Sequence, residues 1–174
     1  MLEKILELLE QKEFPALGAL LKEMNPADVA ELFEDLPREK MALDFRLLPK
    51  ELAAESFSYM DPDEQSVVVE AFSEKELHDV VNELYVDDMV DIIEEMPANL
   101  VKRILRHTDA ETRRSINQIL NYPKDSAGSI MTMEYVDLKR NMTVEQAFDR
   151  IRRIGVEKET VYTCYVTDSH RMLK

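Results

Sequence analysis

Several residue types are scarce in this sequence, and each shortage excludes a class of protein. Only one of the 174 residues is cysteine, which excludes an internal disulfide. Three glycines and seven prolines beside 45% hydrophobic residues are typical of a packed chain, not of a disordered or collagen-like one. Tryptophan is absent and aromatic residues make up 7%, which argues against the aromatic stacking platforms that bind single-stranded nucleic acid.

Basic residues are also few, and long hydrophobic runs are missing. Lysine and arginine total 22 against 36 acidic residues, so the net charge of −14 would repel the phosphates of a nucleic acid. No segment approaches the roughly 18 consecutive apolar residues of a membrane-spanning helix. The first residues are amphipathic and charged, unlike a signal peptide. We therefore expect this chain to be soluble and cytosolic.

What the sequence does contain is a concentrated block of acid. Residues 25–96 hold 21 acidic and five basic residues, a net charge of −16, and the remainder of the chain is close to neutral or mildly basic. A chain polarised in this way favours a partner for its acidic face. That partner could be a cation, a basic surface or only water.

The acidic block is divided by prolines into short helical patterns. Proline is favoured at the start of a helix, and these prolines precede acidic, helix-forming sequence: Pro26, Pro37, Pro49, Pro62 and Pro97. Apolar residues between them follow helical spacing, as at Val29, Leu32, Phe33 and Leu36. Methionines 24, 60 and 96 lie 36 residues apart, which suggests three short helices per repeat. Helices this short must stack on their neighbours, which predicts a solenoid-like superhelix.

The pattern changes after Tyr122. Proline, glycine and small polar residues predict a linker over residues 123–134, and strand signals follow at residues 135–138 and 160–167. Between the strands, Thr143 and Gln146 form a capping-box pattern that predicts a helix over residues 143–154. We therefore predict a mainly α protein: an acidic helical superhelix at residues 1–122, and a partial α/β domain at residues 135–174.

The densest group of carboxylates lies late in the acidic block, where no lysine or arginine occurs between Lys75 and Lys102. At 100° per residue, five acids cover an arc of about 120° with apolar residues opposite: Asp87, Asp88, Asp91, Glu94 and Glu95. Such a face suits a hard divalent cation such as Mg²⁺, which prefers oxygen ligands and keeps most of its water. A solvated acidic helix face remains the alternative from spacing alone.

Catalytic patterns are missing from the sequence. It has no Ser/His/Asp grouping, glycine-rich phosphate loop or HExxH motif, so we expect no enzyme. His78 and His107 lie among charged helical residues and are predicted at the surface, without a zinc site. Cys164, in the second predicted strand, is expected to be a buried small apolar residue.

Three segments together resemble the MgtE family of magnesium channels and transporters. They are PADVAELFEDLP at residues 26–37, DDMVDIIEEMP at 87–97 and YPKDSAGSIMT at 122–132, the last being the most specific. The resemblance implies a superhelical N-terminal domain followed by the start of a cystathionine-β-synthase-type (CBS) domain pair. It also implies that a dimeric membrane pore follows in the full protein. We then expect this chain to be a fragment. Nucleotide binding is expected only at a complete CBS pair.

The same resemblance implies a regulatory Mg²⁺ site between the N-terminal and CBS domains. By position, Asp87 is the best matched ligand, Asp91 follows one turn on, and Glu55 matches another acidic position. Main-chain carbonyls at Gly128 and Ser129 are plausible further ligands. The other acids of the face, Asp88, Glu94 and Glu95, are candidate ligands from their spacing, and the resemblance implies that the second CBS domain supplies the remaining ligands.

These expectations combine into one hypothesis and its rivals. The leading one is a Mg²⁺-sensing regulatory region on the cytoplasmic side of a membrane, which gates a magnesium pore through its acidic interdomain surfaces. One rival is a helical docking module that binds a basic protein without metal. Another is nucleotide sensing through the CBS segment.

Overall fold

The structure, a computed structural model, describes residues 2–170 and 172–174. Within these residues, ten short helices precede a small α/β segment, which confirms the predicted fold class. The helices are α1 (Leu2–Glu10), α2 (Phe14–Lys22), α3 (Pro26–Glu34), α4 (Arg38–Phe45), α5 (Lys50–Tyr59), α6 (Pro62–Ala71), α7 (Glu74–Val81), α8 (Val86–Glu95), α9 (Ala98–Arg106), α10 (Ala110–Leu120) and α11 (Val144–Ile154). The strands are β1 (Tyr135–Lys139) and β2 (Thr160–Thr167), with a 3-10 turn at Gly155–Glu157 before β2.

The chain divides into two compact units. The first runs to Leu84 and resumes from Asp88 to Arg114. The second comprises Tyr85–Asp87 and Ser115–Lys174. The first two residues of α8 and the second half of α10 therefore belong to the second unit.

Proline and polar caps set the starts of the helices, as predicted. Pro26 and Pro62 are the first residues of α3 and α6, where a missing N–H costs no hydrogen bond. Pro37, Pro49 and Pro97 instead occupy the cap position before α4, α5 and α9. These stops keep each helix to about two or three turns, too short to be stable without packing on others.

In the first unit, helices pack mainly on the helix two places further along the chain. Such contacts join α3 with α5, α4 with α6, α5 with α7 and α7 with α9. Phe45 lies at the centre of the core, where its ring centroid is 5.8 Å from that of Phe33, 6.1 Å from Phe57 and 5.5 Å from Phe72. This staggered stacking is what buries the apolar stripe of each short helix, and it agrees with the predicted solenoid.

The second unit contains the predicted strands and helix. Strands β1 and β2 pair in parallel, with Val136 opposite Cys164 and Lys139 opposite Thr167. The predicted capping box of α11 is present, since Thr143 N donates to Gln146 Oε1 (3.0 Å) and Gln146 N to Thr143 Oγ1 (3.3 Å). Cys164, expected to be buried, is partly exposed. The prediction failed because one face of β2 is uncovered, with the Tyr162 side chain on it almost fully exposed.

None of the helices in the described part of the chain is long and apolar enough to cross a membrane.

Candidate functional site

The carboxylates predicted as a cation-binding face lie on α8. Its apolar side is buried through Met89 and Ile92, which fixes the helix in the fold. On the opposite side, Asp91 is exposed, and so are the two glutamates of the last turn. Asp87 and Asp88 in the first turn are half-buried. The amphipathic division expected from the sequence is therefore present in the structure.

The helix dipole acts differently on the carboxylates at the two ends of α8. Carboxylates in the first turn are favoured by the positive end of the helix dipole. Glu94 and Glu95 lie at the negative end, and the last turn has no basic residue to offset them. The C-terminal half of this face is therefore electrostatically unfavourable as it stands, and a bound cation would relieve it.

Asp91 lies between these two ends. Partial desolvation raises the pKa of its carboxyl above the usual value, and the negative charges of Glu94 and Glu95 raise it further. A carboxylate whose ionised form is disfavoured by neighbouring like charges gains from a nearby divalent cation. This supports the choice of Asp91 as a candidate ligand.

A carboxylate that sequence reasoning missed lies at the start of α8. In the second unit, the backbone N–H of Val86 donates to Glu134 Oε1 over 3.3 Å. Glu134 is itself held by Thr132, whose Oγ1 accepts from Glu134 N at 3.1 Å. Glu134 is separated from Val86 by 48 residues, and no spacing rule relates the two positions. Next to this contact, one carboxylate oxygen of Asp87 is buried.

The positions of the other predicted ligands give less support for a metal site. Glu55 is exposed on α5, and no structural feature marks it as a ligand. In the described residues, no three or more histidine, cysteine, aspartate or glutamate side chains are grouped so that they could hold a metal ion. The candidate ligands are thus an acidic surface and not an assembled coordination sphere.

Gly128 and Ser129 belong to a compact loop whose geometry explains the YPKDSAG motif. The ring of Tyr122 lies so close to Gly128 that an added Cβ would be 2.5 Å from its Cγ atom, which only glycine permits. Ser129 closes the turn on Ser126, whose carbonyl oxygen accepts from its N–H (3.1 Å) and its Oγ (2.9 Å). Asp125 adopts a positive φ of 60°. These residues therefore have a structural role, and carbonyl ligation by them stays a prediction.

The two histidines that were predicted at the surface without a shared site are in contact. The ring centroids of His78 on α7 and of His107, at the end of α9, are 5.8 Å apart. His107 is only 14% exposed, and its Nε2 lies 3.0 Å from Glu74 Oε2. The surface prediction was wrong for His107 because the packing of α7 on α9 covers it.

Comparisons with known proteins show which family this chain is similar to. A family model described as the MgtE intracellular N domain matches residues 24–125. Magnesium transporter MgtE of Thermus thermophilus is 34% identical over 172 residues, which is 97% of this chain and 38% of that protein. Magnesium transporter MgtE of Bacillus subtilis is 24% identical over 170 residues, or 98% of this chain and 38% of that protein.

Solved structures agree. The cytosolic domain of the Mg²⁺ channel MgtE, crystallised in complex with ATP, matches with a TM-score of 0.89 and 32% identity over the whole of this chain and 71% of that one. The soluble part of a magnesium transporter matches in fold, with a TM-score of 0.85 and 22% identity over 99% of this chain and 68% of that one.

The chain spans 38% of the length of the two transporters that it matches over almost all of its own length. The family model alone covers more than half of the chain, including the acidic helix α8. The chain therefore belongs to the MgtE family and contains its intracellular N domain.

Proposed function

We propose that this chain is the Mg²⁺-sensing regulatory region of a magnesium transporter or channel, and that it acts at the cytoplasmic face of a membrane. The single observation that carries the proposal is the acidic face of α8. Within the described residues, no lysine or arginine forms an ion pair with Asp91, Glu94 or Glu95. Membership of a family of magnesium transporters gives the cation its identity.

The donor set fits Mg²⁺. Carboxylate oxygens are hard ligands, and Mg²⁺ commonly binds one or two of them directly while retaining several waters. Asp87 and Asp91, one turn apart, would hold the hydrated ion, and Asp88, Glu94 and Glu95 would attract it. Such a surface needs no closed cage, which is consistent with the open arrangement in the structure.

The mechanism follows from charge. With little Mg²⁺, the acidic face repels other acidic surfaces of the same protein, which favours a conformation in which they are apart. With ample Mg²⁺, the carboxylates are neutralised and the closed-pore conformation is favoured. A ligand shifts a two-state equilibrium only by the difference between its affinities for the two states. Several ions that each prefer the closed state would shift the equilibrium together, which would make the response to Mg²⁺ concentration steep.

The test is a Mg²⁺ titration of this chain, followed by amide NMR, against NaCl of matched ionic strength. We expect saturable shifts at residues 86–95 with Mg²⁺ only. The paired variant Asp87→Asn, Asp91→Asn should weaken the apparent affinity at least tenfold. The matched control Asp63→Asn, Glu70→Gln removes two exposed charges from α6 and should change it less than twofold. Shifts that NaCl reproduces, or equal losses in the two variants, would contradict the proposal.

A nucleotide is a second candidate ligand. In the second unit, a cavity of about 470 Å³ lies beside both strands and is lined by Met131, Thr132, Tyr135, Thr160, Tyr165, Thr167 and Leu173. Two of its aromatic rings, those of Tyr135 and Tyr165, meet edge to face at 5.5 Å. ATP added to this chain should shift the amide signals around this cavity if it binds there, and Tyr165→Ala should abolish those shifts. Because nucleotide binding is expected at a complete CBS pair, an unchanged spectrum at millimolar ATP would rule out binding by this segment alone.

A further inference from the structure

A second acidic feature lies far along the chain from α8, at the beginning of the first unit. It is a groove of about 310 Å³ lined by α1, the α2–α3 connection, α3 and the C-cap residue of α3. Its lining residues are Leu2, Met24, Asp28, Glu31, Leu32 and Asp35. We call it the α3 groove.

The floor of the α3 groove is apolar. Leu32 is almost fully buried beneath it, and Leu2 and Met24 are half-buried at its sides. Apolar side chains left partly open to water in a concave surface, as Leu2 and Met24 are, gain free energy when another apolar group covers them. The floor is therefore suited to receive one or two apolar side chains.

The rim is acidic and regularly spaced. Asp28, Glu31 and Asp35 lie at positions i, i+3 and i+7 of one helical face and its end, so they form a line about 10 Å long. All three are exposed, and in the described residues none forms an ion pair. Asp28 accepts a hydrogen bond from Asn25 Nδ2 at 3.3 Å. A partner would find these charges available.

Floor and rim together select the chemistry of the occupant. A phosphate-bearing ligand or an anionic membrane surface would be repelled by the three carboxylates. A metal ion would gain nothing from the apolar floor. A helix that carries lysine or arginine at helical spacing beside an apolar stripe matches both features, because its cations would align with the acidic line and its apolar anchors would enter the groove.

We propose that the α3 groove is a docking site for a basic amphipathic helix of a partner protein. This site is independent of the Mg²⁺ face on α8, so its failure would leave the proposed function untouched. Its affinity should fall with rising salt, because the rim contributes exposed charge pairs that counterions screen.

The probe is a fluorescein-labelled 18-residue peptide of leucine and lysine, arranged to give one apolar and one basic helical face. A peptide of the same composition in scrambled order is the control ligand. Binding is followed by fluorescence anisotropy at low salt, and the bound region is mapped by amide NMR. We expect the amphipathic peptide to bind at least tenfold more tightly than the scrambled one, with shifts confined to α1 and residues 24–35.

Two groove variants separate the contributions. Asp28→Asn, Glu31→Gln, Asp35→Asn should weaken binding at least tenfold, and the matched triple Glu51→Gln, Asp63→Asn, Glu70→Gln, which removes as much charge elsewhere in the unit, should weaken it less than threefold. Met24→Gln, which leaves the charge unchanged, should weaken it severalfold. Circular dichroism checks that each variant is folded. Equal effects of the two triples, or equal binding of both peptides, would mean general attraction to an acidic protein and would overturn the proposal.

Discussion

At the scale of single residues, the most unusual side chain is Asp44 on α4. It is fully buried, and neither carboxylate oxygen has a hydrogen-bond partner among the described residues. Burial raises the pKa of Asp44 from 3.8 to about 6, and the positive charge of Lys40 opposes this only in part. Nothing in the sequence distinguished Asp44 from the other acids of the block, because the one-sided pattern of α4 is weak and burial depends on which helices cover it.

This burial makes the stability of the protein depend on pH. Because the folded-state pKa of Asp44 exceeds its unfolded value, ionising it costs free energy in the folded state only. The cost is absent below pH 3.8 and complete above about pH 6. A rise of about two pKa units corresponds to about 3 kcal/mol. We therefore expect the free energy of unfolding of the wild type, relative to Asp44→Asn, to increase by up to about 3 kcal/mol from pH 7.5 to pH 4.

Urea denaturation of both proteins across this pH range measures the difference. Asparagine at position 44 also needs hydrogen bonds, but that cost does not vary with pH and cancels in the comparison. Asp63→Asn, at an exposed position on α6, is the control. We expect the difference in free energy of unfolding between the wild type and Asp63→Asn to change little with pH. If the difference between the wild type and Asp44→Asn were equally independent of pH, burial of Asp44 would not make stability depend on pH.

At the scale of elements, the short helices are joined by arginines that bind the end of one helix and the start of the next. Arg103 on α9 donates to the carbonyls of Val69 and Phe72 at the end of α6, the latter at 2.6 Å, and to Glu74 at the start of α7 at 2.8 Å. Arg46, directly after α4, likewise binds Ala71 O (2.9 Å) and Glu76 (2.6 Å).

These contacts could not be predicted from the sequence. Helix starts, apolar stripes and caps depend on neighbouring residues, so α11 was predicted within one residue of its observed bounds, and the start of α3 at Pro26 and the one-sided pattern of α8 were predicted as well. The partners of Arg103 are 29 to 34 residues away, and their meeting depends on how successive helices stack. The same limit applies to Glu134 at α8, to the contact of His78 with His107, and to the shape of the α3 groove.

Replacement of Arg103 tests the importance of these contacts. Arg103→Met keeps much of the length of the side chain but leaves two carbonyls of the α6 end without their donors, at a cost of about 1 to 3 kcal/mol for each group that stays buried. We expect a loss of at least about 2 kcal/mol in the free energy of unfolding. Arg106→Met, at an exposed position one turn later, should cost less than about 0.5 kcal/mol. Equal losses in chemical denaturation would show that the lost charge, not the contacts, matters.

The C-terminal end of α8 provides the opposite case, in which a charge destabilises its own helix. Glu94 and Glu95 face the negative end of the helix dipole without a basic residue in that turn. Glu94→Gln, Glu95→Gln should therefore raise stability at low salt by about 0.3 to 1 kcal/mol per residue, and the gain should diminish in high salt. Thermal unfolding at two NaCl concentrations measures this. A destabilised variant would mean that these glutamates serve the fold and not a ligand.

At the scale of the whole molecule, the uneven charge is the property that connects fold to function. The net charge is −14, yet residues 25–96 alone carry −16, so like charges crowd one part of the chain. Crowding of this kind opposes folding through self-repulsion, which ions reduce in two ways. Monovalent salt screens all the charges, whereas a bound divalent ion neutralises a few of them and stabilises the folded state by mass action.

The two effects can be separated by thermal unfolding. NaCl should raise the unfolding temperature gradually, and the rise should not saturate as a binding curve would. MgCl₂ at the same ionic strength should raise it further, and at a hundred times its Kd the added stability is about 2.7 kcal/mol, or about 5 to 10 °C for a chain of this size. Asp87→Asn, Asp91→Asn should remove the extra increment while keeping the response to NaCl, and Asp63→Asn, Glu70→Gln should retain both. The Kd obtained from the rise in unfolding temperature should agree with the Kd from the NMR titration. If MgCl₂ added the same extra rise in the wild type and in both variants, Mg²⁺ would bind elsewhere on the acidic surface, away from the first turns of α8.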